Sequence, residues 1–319
     1  MVALGQSGPQ VSRIGLGMAA LGRPAYITTG RTQDFGADRS EESFRARSWE
    51  VLDAAYALGI RYLDCARSYG SAEAFVAGWL ARGNRDGVVV GSKWGYTYVG
   101  AWDPRAAVHE VKDHSLAAFQ RQYAESRALL GTHLRLYQVH SATLESGVLE
   151  DRSLHAALAR ERDRGLRLGI TTSGPAQAET LRRALELRSG GGPLFSAVQA
   201  TWNLLEPSVE PALIEAASAG WAVIVKEAVA NGRLTASGDA GGPGTPLGEL
   251  AAAGSVSPDA LALAAALARP WATVVLSGAA TADQLRSNLS ALEVSLPVLP
   301  DLAEPAAAYW AQRSQRPWS

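Results

Sequence analysis

Four polar residues fall at or just beyond the ends of three successive strand-like runs: Asp64 and Tyr69 in "RYLDCARSYG", Lys93 in "VVVGSKWG" and His140 in "LYQVHS". A carboxylate, a phenol, an ammonium and an imidazole gathered in one pocket make a proton donor able to work beside a reactive carbonyl near neutral pH. A free phenol titrates near ~10, and an adjacent ammonium lowers that value by stabilising the phenolate. A buried ammonium in turn needs a counter-charge. The expected division of labour is Lys93 tuning Tyr69, Asp64 balancing Lys93, and His140 hydrogen-bonding the carbonyl oxygen. Singly, each residue has a duller reading as a cap, a packed ring, a solvated charge or a core histidine. Their joint occurrence on adjacent strands is what points to a site.

Of the 30 basic residues only Lys93, Lys112 and Lys226 are lysines. Arginine serves almost wherever a positive charge suffices, so a strand-end lysine marks a place where a compact ammonium is needed and a planar guanidinium does not substitute.

These groups meet only if their strands open on one mouth. Eight short apolar or β-branched runs recur: "SRIGLGM", "RYLDCA", "GVVVGSK", "LRLYQVHS", "LRLGITTS", "SAVQATW", "WAVIVKEA" and "ATVVLSGA". Between and after them lie eight amphipathic or alanine-rich stretches, 43–58, 71–82, 115–130, 151–164, 175–188, 207–219, 257–268 and 281–292, with Ser153, Ser257 and Thr281 among the expected caps. This alternation, unbroken in composition, predicts an α/β protein, one (β/α)8 TIM barrel domain over residues 1–319. In such a barrel the carboxyl ends of the strands share a mouth. The loop 22–42, the connection 95–114, the glycine-rich stretch after the seventh run and the tail 295–319, with Trp310 and Trp318, are expected to border or cover it.

Composition narrows the function classes. Hydrophobic residues at 47% and charged residues at 19% predict a packed globular core. A formal net charge of −1 gives no electrostatic footprint for nucleic acid or an anionic membrane surface. No run of ~18 apolar residues predicts a membrane span. Cys65 is alone, so it forms no internal disulfide, and "MVALGQSGPQ" lacks the basic and long apolar stretches of a signal peptide. A cytoplasmic protein acting on a small molecule is the expectation, with no metal site and an oligomeric state that the sequence leaves open.

"GLGMAA", Gly15 to Ala20, fits a G-x-G-x-x-A dinucleotide fingerprint, but the context of a Rossmann unit fails. A helix should follow the glycines, then a second strand ending in an acidic residue. "LGRPAYITTGRTQDFG" follows instead, with a proline and several helix breakers. A glycine-bearing strand end where backbone approaches a ligand or a loop is the better reading.

The segments "RYLDCARSYG", "SKWG" and "LYQVHS" resemble, in order, the three strand-end motifs of the aldo-keto reductase superfamily. Similarity extends through "SRIGLGMAALG", "AVQATWNLLEPS", "KEAVANGRLT" and "VVLSGAATADQLRSNLSALE", which covers nearly the whole chain. The resemblance implies a catalytic tetrad of Asp64, Tyr69, Lys93 and His140, and NADP(H), with NAD(H) as the alternative, bound extended across the barrel mouth. It also implies cofactor contacts from Gly17 and Met18, from Thr171 and Thr172, from Gln199 to the nicotinamide carboxamide, and from Trp202 stacking on the nicotinamide. Lys226, Glu227, Ala228, Val229, Ala230, Asn231 and Gly232 would line the pyrophosphate, and Gly278, Ala280, Gln284 and Asn288 the adenosine end. Three positions depart from the family pattern. "GITTS" replaces a G-V-S-N strand end, "SGAATADQ" lacks the basic residue often used for a 2′-phosphate, and Ser287 stands where the family has a glutamate. Arg286, Arg233 and Lys226 are the remaining candidates for that phosphate.

The implied activity is hydride transfer between a nicotinamide cofactor and an aldehyde, ketone or alcohol, with Tyr69 as proton donor. A redox-neutral epimerase that recycles its cofactor and a cofactor-sensing regulatory subunit are the rivals. Trp94, Trp102, Trp202 and Trp310 raise the expectation of an aromatic-lined substrate pocket.

Overall fold

The computed structural model describes residues 1–26 and 38–316. Most of the polar loop expected at 22–42, and Trp318, lie outside them. The eight expected strand runs form β1 (Ile14–Gly17), β2 (Tyr62–Asp64), β3 (Val89–Trp94), β4 (Leu134–Ala142), β5 (Arg167–Thr172), β6 (Ala197–Thr201), β7 (Ala222–Lys226) and β8 (Val274–Ser277). They pair in parallel, each with its sequence neighbours, and β8 closes on β1 to complete a barrel. Helices α1 (Glu41–Ala57), α2 (Ala72–Leu80), α3 (Leu116–Leu130), α4 (Arg152–Asp163), α5 (Gln177–Glu186) and α6 (Glu210–Ser218) follow the first six strands. The glycine-rich stretch after β7 holds a further helix, α7 (Pro246–Ala253), before α8 (Pro258–Leu267) and α9 (Ala282–Leu289), and the tail forms α10 (Ala306–Ser314).

Local chemistry explains the helix starts. Ser257 and Thr281 cap α8 and α9 through their hydroxyls, as expected, and Pro258 takes the first helical position of α8. At α4 the cap is Asp151 and not Ser153: the Asp151 carboxylate accepts from the amides of Ser153 and Leu154 at 2.9 and 3.0 Å. An aspartate two residues upstream reaches both orphan amides, and its charge suits the helix N-terminus.

Strand alternation sorts side chains into two cores. Tyr62, Val89, Leu136, Ala197, Ala222, Ile224, Val274 and Leu276 pack inside the barrel, where Leu4 and Val11 of the N-terminal hairpin plug the lower end. Their neighbours, such as Leu63, Val90, Tyr137, Val139 and Val198, point outward against the helices. The period of two carries straight to the mouth. Two residues above Tyr62 is Asp64, four above Val89 is Lys93, four above Leu136 is His140, two above Ala197 is Gln199 and two above Ile224 is Lys226. The apolar floor therefore dictates which polar residues face inward above it. The segment Gly15 to Ala20, declined as a dinucleotide fingerprint, ends β1 and runs into turns, with no helix in residues 18–26.

Candidate functional site

Lys93 is 1% exposed and holds three acceptors: the Asp64 carboxylate, the Cys65 carbonyl at 2.9 Å and the Tyr69 hydroxyl at 3.2 Å. His140 joins this group through its ring. Its edge packs against Tyr69 with centroids 5.6 Å apart, and its Nδ1 lies 3.4 Å from the Ser68 hydroxyl. Four residues from three strands and one loop thus form one buried cluster at the carboxyl end of the barrel.

The loop that returns Tyr69 to the mouth is built by two glycines. Gly70 has φ +56°, and a Cβ there would meet the Gly22 carbonyl oxygen at 2.4 Å. A Cβ on Gly22 would in turn meet the Tyr69 carbonyl at 2.3 Å. Only two bare backbones approach this closely, which lets the Ser71 amide donate to the Gly22 carbonyl at 2.8 Å. The "SYG" turn expected from sequence is tied in this way to the loop after β1.

Electrostatics refine the expected roles. Burial, joined by the Asp64 charge, pushes the Tyr69 phenol well above its ordinary value. The sequence-based expectation that Lys93 would bring it down is reversed here, and the Tyr69 hydroxyl keeps its proton across the working pH range. Burial also raises Asp64, held back by Lys93 and the amide of Gln199. Burial and the nearby Lys93 and Arg23 charges hold His140 well below the ordinary histidine range, so it is a neutral imidazole.

Residues expected at the cofactor prove to be engaged with partners elsewhere in the protein. Gln199 Nε2 donates to Asp64 Oδ1 at 2.7 Å, so that amide braces the carboxylate. Trp202 is 1% exposed, with its indole N–H on Glu210 at 3.2 Å, Arg269 over its face at 4.8 Å and Trp271 packed at 5.7 Å. It has no free face for a nicotinamide, which corrects the stacking expectation: the ring sits on the helix side of the barrel wall. Thr171 accepts from the Ser141 amide at 2.7 Å, and Thr172 faces Gln177 at 3.4 Å. Met18 is fully buried and its amide donates to the Asp64 carbonyl. Gln284 accepts from the Ala280 amide at 2.8 Å, and Asn288 donates to the Ser277 hydroxyl at 2.8 Å, so both brace the turn between β8 and α9. Gly17 ends β1 beside Asp64 in register.

The seventh-strand segment is the most strained part of the mouth. Glu227, Ala230 and Asn231 all take positive φ, at 57, 50 and 55°, followed by Gly232 at 96°. Left-handed backbone costs about 1–3 kcal/mol per non-glycine residue and persists where a site requires it. Two ionic contacts hold it: Glu227 pairs with Arg313 of α10 and lies 3.7 Å from Lys226 Nζ. Against the upward push of burial, these two cations hold Glu227 down to about 2. Lys226 donates to the Thr201 hydroxyl at 2.7 Å, and burial lowers its ammonium to about 8. Ala228 and Val229 lie within the same turn. The tail contributes Trp310, whose ring lies 5.8 Å from Lys226 Nζ, and Tyr309, which hydrogen-bonds Asn203 at 3.0 Å.

Sequence reasoning missed Arg23 and Tyr96. Arg23 is 2% exposed, pairs with Glu110 at 2.5 Å and sits 5.0 Å from the Tyr69 ring. Tyr96 packs 5.1 Å from His140. A lone arginine in a loop carries no signal, and Tyr96 lies on a short hairpin (Tyr96–Tyr98 with Glu110–Lys112) inside what reads as a plain connection. Of the four tryptophans expected around a substrate, Trp94 is buried against Phe119 and His114, Trp102 packs on Phe44 and Phe75, and Trp202 lies in the wall. Trp310 alone adjoins a polar group of the mouth.

A parallel eight-stranded barrel with an interlocked carboxylate, ammonium, phenol and imidazole at its carboxyl mouth defines a (β/α)8 barrel with a built polar site. The model of the Aldo/keto reductase family matches residues 13–298, and the chain belongs to that family. It is 25% identical over 324 residues to the uncharacterized oxidoreductase YrpG of Bacillus subtilis (strain 168), across 92% of this chain and 91% of that one. Among solved structures, the holo form of aldo-keto reductase AKR11C1 from Bacillus halodurans superposes with a TM-score of 0.67 at 23% identity, covering 98% of this chain and 95% of that one. PA4992 from Pseudomonas aeruginosa superposes with a TM-score of 0.63 at 24% identity over the same shares. The chain is accordingly an oxidoreductase.

Proposed function

We propose that the chain reduces an aldehyde or ketone, or oxidises the matching alcohol, with NADP(H) as hydride carrier, and that Tyr69 donates the proton. The hydrogen-bonded chain Asp64–Lys93–Tyr69 carries this reading. When bound, the nicotinamide supplies or accepts the hydride. Tyr69 starts protonated and gives its proton to the forming alkoxide. Lys93, 3.2 Å away, offsets the charge left on the phenol oxygen. Its own charge is balanced by Asp64, which Gln199 keeps oriented. Neutral His140 presents an N–H to the carbonyl oxygen and fixes its direction.

The residues present fit an anionic cofactor. Lys226 adds an ammonium at the inner rim, and Gly278, at the end of β8, has open space where a Cβ would stand. The turn from Glu227 to Gly232 would hold the pyrophosphate side, with Gly278 and Ala280 toward the adenosine. The candidates for a 2′-phosphate are mostly spent: Arg233 is held by Glu304 and Asp239, and Arg286 by Asp283. We therefore expect NADH to bind within about tenfold of NADPH, a difference of ~1.4 kcal/mol. A cytoplasmic location and closure of the mouth by the tail belong to the same proposal.

Fluorescence titration with NADPH and NADH, followed by a carbonyl panel, tests the activity. Tyr69→Phe should keep cofactor affinity while turnover falls by about 10²–10⁴. Near-normal turnover in that variant would exclude Tyr69 as the donor, and steady cofactor consumption by the native protein separates a reductase from an enzyme that recycles it.

A further inference from the structure

A cavity lies at the end of the barrel opposite the mouth. This cleft of about 420 Å³ is bordered by the N-terminal loop and the starting ends of β5, β6 and β7, and none of its lining residues is acidic. Three arginines line it: Arg135, Arg162 and Arg167. Arg162 has its own counter-charge, Asp163, and clamps the Ser189 and Pro193 carbonyls at 2.9 and 2.8 Å. The other two do not. Arg167 donates to the neutral Gln6 carbonyl at 2.7 Å, which fixes its direction without neutralising it. The parallel register sets Arg167 beside Leu136, next to Arg135. Among the described residues neither forms an ion pair, and burial, with a further push from the Arg135 charge, lowers the Arg167 pKa.

Two guanidinium groups from neighbouring strands border the same cleft, whose lining holds no acidic residue to neutralise them. The arrangement suits a bidentate anion. A carboxylate would leave one of the two charges uncompensated, whereas a phosphate carries close to two negative charges and three terminal oxygens. The volume fits a small phosphorylated molecule and not a polymer. The five steps along the six residues of β5, at ~3.3 Å each, place the cleft about 17 Å from the mouth, so it is separate from the redox site.

We propose that Arg135 and Arg167 form a binding site for the phosphate group of a small metabolite, on the barrel face opposite the catalytic mouth. The proposal does not depend on the redox reading. Inorganic phosphate and, as a carboxylate comparison, acetate serve as probes by calorimetry and thermal unfolding, against sodium chloride at matched ionic strength. Saturable phosphate binding is expected, with acetate at least about tenfold weaker. Arg135→Gln, at an exposed position, should weaken phosphate about tenfold or more, the usual worth of one charge-assisted contact. Arg167→Gln should do the same, and if loss of its Gln6 anchor prevents folding, Arg135→Gln alone decides the matter. Equal effects of phosphate and chloride would overturn the site. So would phosphate affinity that survives Arg135→Gln but is lost in Lys226→Met, since that places the anion at the mouth.

Discussion

Replacing Lys93 by methionine keeps much of the side-chain volume and removes one charge from the centre of the site. Two quantities should change. The first is transition-state stabilisation. Lys93 Nζ lies 3.2 Å from the Tyr69 oxygen, and at an effective dielectric of ~20 a full phenolate at that distance gains ~5 kcal/mol. If about half the proton's charge has moved in the transition state, ~2.5 kcal/mol is lost, a fall in kcat of ~70-fold. The second is stability. Asp64, 2% exposed, would keep only the Gln199 amide at 2.7 Å, and breaking a buried pair from one side costs about 3–5 kcal/mol. The Asp64 carboxyl, already raised by burial, would then rise further and take up a proton, which limits the loss. Steady-state kinetics at saturating cofactor and urea unfolding measure the two quantities separately, and cofactor titration checks that the binding site is unchanged. Adding Asp64→Asn removes the orphaned carboxylate, so the double variant should regain stability over Lys93→Met without regaining activity. Turnover within about threefold of the native enzyme, or a double variant less stable than the single, would refute the charge-pair argument.

Lys226 gives a pH dependence with a definite sign. Its ammonium is present below about 8 and neutral above, so NADPH affinity should weaken as pH rises through about 8, and Lys226→Met should flatten that dependence in a titration series. Gly70→Ala puts a methyl group 2.4 Å from the Gly22 carbonyl at a positive φ. It should displace Tyr69 and lower kcat by about 10²-fold while leaving cofactor binding intact; unchanged kcat would mean the turn does not position the phenol. Arg313→Met removes the closer of the two cations on Glu227 and leaves Lys226 at 3.7 Å. It should cost about 3 kcal/mol in urea unfolding and expose α10 to limited proteolysis, and an unaltered digestion pattern would count against the clamp.

The aldo-keto reductase resemblance and the barrel were legible because their signals are local. Strand runs ending in polar residues, helices of ordinary length between them and the order of the motifs all reside in contiguous segments. Period two then fixed which face Asp64, Lys93 and His140 share. The helix α7 and the hairpin at Tyr96 were not legible, since glycine-rich and mixed stretches have neither clear period, and their folds are set by what they pack against.

By itself, the sequence determined the alternation of elements, the strand-end positions of Asp64, Lys93 and His140 and the scarcity of lysine that marked Lys93 and Lys226. Only the tertiary structure decided which polar groups remain available. Gln199 and Asp64 are 135 residues apart and satisfy one another, Trp202 is enclosed by Arg269 and Trp271, and Arg233 is taken by Glu304 from the tail. The direction of the Tyr69 shift was decided there too, because desolvation depends on everything packed around the phenol and not on the one ammonium beside it. Residue types and periodicity specify where side chains point. Burial and partners drawn from distant strands specify what those side chains are still free to do.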